Sequence, residues 1–227
     1  MNTLEMTEAE IATKFESLGG GSSRMDGWGF GCEFGTYQRF NGLEPLGLLR
    51  WASINPRDLI RALNDSFEKV DLMSTLQVYC ASGNDWQFVQ KAYDMRVDHT
   101  YLPTAKFTAD QAAVKICRSL AFLRRKILED LALGDKIFVY RVYDYILPDE
   151  EISEIGQSIA RLGSATFLCV QKCLERAFTV ERFSHNSYVG FIDRFAPLEP
   201  VGIAHNREGW ARVLQKALEV CRVTHRR

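Results

Sequence analysis

The stretch ADQAAVKICRSLAFLRRKILEDLALGDKIFVYRV (109–142) decides the fold class. Its first part predicts a helix from about Ala109 to Leu133. Ile116, Leu120, Leu123, Ile127 and Leu131 recur at helical spacing and form one apolar stripe. Arg118, Arg125 and Glu129 fall on the opposite side, as a solvated face requires. Thr108 with Gln111 makes a capping box, and Gly134 supplies the stop. The run KIFVYRV (136–142) is β-branched and aromatic and reads as a buried strand. The alternation then repeats. Pro148-Asp149-Glu150-Glu151 opens a helix to Leu162, Gly163 closes it, and ATFLCVQ (165–171) is a second buried strand. Helix–strand–helix–strand order implies an α/β unit with parallel pairing, because parallel neighbours need a crossover and a helix supplies it.

Outward from this unit, Tyr188 to Arg194 is an edge-strand candidate. Asn206 caps a last amphipathic helix to about Val220, with Trp210, Val213, Leu214, Ala217 and Leu218 inward. Upstream, Asn55 before Pro56 starts a helix to about Lys69. Thr75 to Tyr79 and Trp86 to Lys91 are weaker strand or turn candidates. Thr7, with Glu10 three residues on, caps a short helix to Phe15. A glycine-rich loop runs from Gly19 to Gly31, and Cys32 to Phe40 reads as a helix beginning where it ends. No repeat or linker divides the chain. The expectation is a single α/β domain over residues 1–227, with a small, mostly parallel sheet flanked by helices.

Charge and composition exclude several classes. The 28 Lys+Arg and 29 Asp+Glu leave a net charge of −1, so no broad basic face for nucleic acid is expected. The 46% hydrophobic and 25% charged fractions are those of an ordinary globule. The N-terminus is acidic and lacks an apolar signal core. The longest charge-free run, Leu72 to Asn84, is too short and too polar to span a bilayer. Six cysteines without regular spacing favour reduced thiols and a cytoplasmic location. Cys169 and Cys173 lack a second Cys/His pair at zinc spacing, so neither metal nor cofactor is expected. The cluster Arg124-Arg125-Lys126 reads as a solvated helix face.

Seven of the 16 glycines lie between Gly19 and Gly35, around Cys32. GWGFGCEFG (27–35) is followed by no Gly-Lys-Ser/Thr, and its G-x-G-x3-G spacing is not a dinucleotide fingerprint. Cys32 stands at the junction of this loop with a helix, where the dipole and exposed N–H groups favour a thiolate. Backbone N–H groups near Gly31 and Glu33 are candidates for an oxyanion hole. A nucleophilic Cys needs a base, and His99 in MRVDHTYLP (95–103) has the most suggestive setting. His185 and His205 are weaker candidates, and His225 is in the tail. Asp98, Asp144, Asn186 and Asp193 are all candidate orienters of the base. A different reading makes the glycine loop, Arg50 and Trp51 the holders of a phosphate- or sugar-bearing ligand, without catalysis by Cys32. In a third, Phe183, Tyr188, Phe191 and Phe195 form a partner interface, although filling the core is the use expected of such aromatics.

ESLGG (16–20), GCEFGTYQRF (31–40) and EPLGLLRWA (44–52) resemble a bacterial family described as papain-like cysteine peptidases. DHTYLP (98–103), the helix and strand of 120–141 and GFIDRFAP (190–197) follow in the family's order, so the resemblance covers most of the chain. It implies Cys32 as nucleophile and His99 as base; no motif fixes a third member, and Asp193 is taken as the candidate for it. The stretch between Leu18 and Cys32 is longer than the family's usual spacing. The resemblance also implies a link to surface-polysaccharide metabolism. The expected activity is hydrolysis or acyl transfer on an amide, ester or thioester of a small molecule or peptide.

Overall fold

A computed structural model describes residues 6–22, 32–80, 84–98, 100–195 and 206–224. In chain order the elements are α1 (Glu8–Ala12), β1 (Phe15–Gly21), α2 (Glu33–Phe40), β2 (Ala52–Ser53), α3 (Pro56–Asn64), β3 (Leu76–Tyr79), β4 (Gln87–Gln90), β5 (Met95–Val97), α4 (Ala109–Leu133), β6 (Ile137–Val142), α5 (Asp149–Leu162), β7 (Thr166–Lys172), β8 (Val180–Arg182), β9 (Ser187–Ile192) and α6 (Arg207–Thr224). The capping boxes at Thr7 and Thr108 form with both reciprocal bonds. Asn55 caps α3 with Pro56 at its start, and Gly134 ends α4 in the left-handed conformation. Asn206 accepts from the Gly209 N–H at 3.0 Å and caps α6.

All these strands join one sheet, ordered β3-β4-β5-β2-β1-β6-β7-β9-β8. The expected parallel unit is present: β6 pairs with β7, and α5 is its crossover. The rest corrects the expectation of a small, mostly parallel sheet. Only β2, β1, β6, β7 and β9 run parallel; β5, β4 and β3 extend one side antiparallel, and β8 closes the other edge antiparallel. The short runs of β3 and β4 are strands because each borrows a partner, which isolated propensity does not report. Likewise β9 is interior, and β8 is the edge. The helix at Asn55 stops at Asn64, not Lys69, where Ser66 and Phe67 take positive φ.

The larger correction concerns FESLGGG (15–21). It is a fully buried strand between β2 and β6, not a helix end and loop. Gly19 has φ +81°, and a Cβ there would lie 2.7 Å from the Ala52 carbonyl. The register with β6 shifts between Ser17 and Gly20, so this irregular strand needs glycine.

The sheet separates two apolar layers. Phe138, Tyr140 and Val142 of β6 face α3, α4 and α5, while Ile137 and Val139 face α1, α2 and α6. Alternation along the strand produces this division. Tyr188, Phe191 and Phe195 are buried in the core and Phe183 packs against it, so these aromatics are not a free interface. No helix among the described residues is long and apolar enough to cross a membrane.

Candidate functional site

The chain leaves β1 for α2 and β2 on one side, then returns through α4 to β6 on the other side of β1. The carboxyl ends of β1 and β6 therefore form a topological switch point, where open α/β sheets leave a crevice for ligands. Ser22 donates to Asp144 across it at 3.0 Å, and the Tyr143 N–H donates to Gly21 at 3.0 Å. Cys32 opens α2 at this end of the sheet.

Cys32 is half-buried, with φ −90° and ψ −13°, and its side chain does not cap the helix. Its carbonyl accepts from the Thr36 N–H and hydroxyl, both at 2.8 Å. Its thiol donates to the Trp51 carbonyl at 3.7 Å, a bond that only the protonated form makes. Burial pushes the thiol up to about 12; Asp98 adds to the rise, while Arg141 and Arg39 oppose it. Burial thus works against the thiolate expected at this helix start.

Beneath Cys32 lies a buried polar network. Arg141 of β6 is 2% exposed and pairs with Glu33 at 3.1 Å. The other Glu33 oxygen accepts from the Trp210 indole at 3.2 Å. The guanidinium lies 5.4 Å from the Tyr143 ring centroid and 5.1 Å from that of Phe195. Burial pulls Arg141 down from its ordinary range, and Glu33 opposes this. Its Nε has no hydrogen-bond partner among the described residues. Glu33 thus ties α2 to β6 and α6 through its side chain.

The chain just after position 99 is held by Trp86 and by Arg39 of α2. Asp98 is buried and acts on the thiol by its charge. Thr100 donates to the Trp86 carbonyl. Tyr101 has φ +57° and accepts from Arg39 of α2 at 2.5 Å. A bulky side chain in the left-handed region is strained and must be held by its surroundings. His99 and Gly31 lie outside the described residues. The other two low-ranked histidines part company: His205 is outside the description, and His185 is exposed in the turn before β9.

The remaining candidates are placed elsewhere or otherwise engaged. Asp193 accepts from Asn206 at 2.6 Å, at the start of α6. Asn186 donates to Gly156 at 3.0 Å, at the opposite end of β9. Arg50 is 2% exposed. It donates to Glu44 and to the carbonyls of Gly35, Leu43 and Pro45, and so clamps the turn after α2. Its guanidinium lies 4.5 Å from the Trp51 ring centroid, and that of Arg39 lies 4.6 Å away. Cys169 is buried on β7 and Cys173 follows it; no group of three or more His, Cys, Asp or Glu among the described residues could hold a metal.

Asp98 is thus an orienter candidate whose charge reaches Cys32, Asp144 is another at the switch point itself, and Arg141 is the residue that sequence reasoning missed. Its signal was a lone charge inside the buried run KIFVYRV. No family model, curated protein or solved structure matches this chain.

Proposed function

We propose that the chain is a cysteine-dependent hydrolase or acyltransferase acting on an amide, ester or thioester of a small molecule or peptide, in line with the papain-like resemblance. One observation carries this reading: the residues flanking position 99 both bear on the start of α2, since the charge of Asp98 reaches the Cys32 thiol and Tyr101 accepts from Arg39 of α2. With the thiol raised, sulfur attacks only as a base removes its proton. His99 is that base and Asp98 its orienter. The sulfur–carbonyl bond forms, and the leaving group departs with the proton from His99. Water or a second acceptor then takes the acyl group through the same histidine. N–H groups at the start of α2, near Gly31 and Glu33, stabilise the oxyanion. Six free thiols support a reducing, cytoplasmic setting.

The test is intact-protein mass spectrometry after exposure to p-nitrophenyl esters and aliphatic thioesters. An acyl adduct on Cys32, absent in Cys32→Ser and slowed at least tenfold in His99→Ala, is the expected result. No adduct, and equal ester turnover in Cys32→Ser, overturns it.

A second reading is favoured by the raised thiol together with the buried Arg141, whose Nε is unpaired among the described residues. Here the switch point holds a phosphate- or sugar-bearing ligand without covalent chemistry, as a link to surface-polysaccharide metabolism would suit. The start of α2 and Arg141 take the part first given to Arg50 and Trp51. This predicts a thermal shift with sugar nucleotides that survives Cys32→Ser and is lost in Arg141→Lys.

A further inference from the structure

A second concavity lies between α4 and the antiparallel pair β4–β5, with a volume of about 180 Å³. Leu48, Phe88, Val97, Ile116, Leu120 and Leu123 give it an apolar lining. Lys115 is the charged residue of that lining, and it is exposed beside Ser119 on the solvent side. The Lys115 ammonium lies 5.0 Å from the Phe107 ring centroid and makes no ion pair among the described residues. An apolar cleft with one uncompensated cation at its rim suits an occupant with an apolar body and an anionic end. Size narrows the choice. An apolar cavity of about 150 Å³ takes the six carbons of benzene, so this one takes about six to eight.

We propose that this cleft binds an unbranched medium-chain carboxylate, its chain between α4 and the sheet and its carboxylate at Lys115. The site goes beyond the reading of Cys32 and stands without it. Trp51 is the wall common to both, since it is among the residues lining the cleft and its carbonyl accepts from the thiol.

Titration calorimetry on the full chain with butyrate, hexanoate, octanoate and decanoate tests the proposal. Affinity is expected to rise about fourfold per added methylene through octanoate. It then levels off at decanoate, whose end no longer fits. Ser119→Trp, at an exposed helix position that tolerates substitution, is expected to weaken octanoate about tenfold or more by filling the mouth. Lys115→Gln is expected to weaken octanoate but leave 1-octanol unchanged. Undetectable octanoate binding, affinity indifferent to chain length, or an unaffected Ser119→Trp variant would overturn it. Benzoate binding more tightly than octanoate would exclude a chain-shaped occupant. Because the readout is binding, failure here leaves the acyl-adduct test of Cys32 untouched, and the converse holds.

Discussion

The proton on Cys32 makes the most direct residue-scale prediction. Below the ordinary thiol value of 9.0 the folded and unfolded chains both keep it, and stability is undiminished. Between 9.0 and about 12 only the folded chain keeps it, so stability falls as pH rises. Cys221, also pushed up to about 12 by burial, acts in the same window. The melting temperature should therefore decline through this range, and Cys32→Ser should flatten part of the decline in scanning calorimetry. At neutral pH, without substrate, iodoacetamide should alkylate Cys32 more slowly than the exposed Cys80. A faster Cys32 would show that its surroundings lower the thiol after all. The Arg141–Glu33 pair gives a third outcome. Glu33→Gln leaves a buried guanidinium without its counter-charge, at a cost of about 3–5 kcal/mol in urea denaturation. Adding Arg141→Met to that variant should recover most of the loss.

At the scale of elements, β1 is the sensitive one. Gly19→Ala forces a Cβ toward the Ala52 carbonyl at a positive φ, and should destabilise the fold by about 1–3 kcal/mol in thermal or urea melts. The same strand shows where the sequence is opaque. α4 is legible from Ile116 to Leu131 because its stripe and caps are local, and β6 and β7 because their runs are β-branched and aromatic. FESLGGG has neither signal. It is a strand because β2 and β6 enclose it, and its buried Glu16 is paired with Lys136 at 3.1 Å and Lys126 at 3.7 Å. The site divides along the same line. Cys32 at a helix start follows from a local pattern of glycine and helix. Asp98, whose charge reaches it, depends on β5 pairing with β2, a contact 43 residues apart in the register of Ser53 and Arg96 for which no short window holds a signal. Arg141 needed the strand's facing to be known.

Across the whole molecule, the sheet has a firm half and a lighter one. β6 and β7 are covered on both faces. β3 is short, half-exposed and at an edge, and β2 meets β1 through the single register pair Gly20 and Ser53. Amides of β3 and β4 should therefore exchange with deuterium well ahead of those in β6 and β7, which should open only with global unfolding. Equal protection in the two halves would show that the antiparallel extension is as firmly held as the parallel centre.

Trp51 carries a consequence of another kind. Its indole is a fluorophore whose emission colour follows the electric field across the ring, and the guanidinium groups of Arg39 and Arg50 lie 4.6 Å and 4.5 Å from its centroid. The protein thus contains an optical gauge wired to two places at once. A shift of α2 moves one charge over the chromophore, and an occupant between α4 and the sheet changes the polarity beside it.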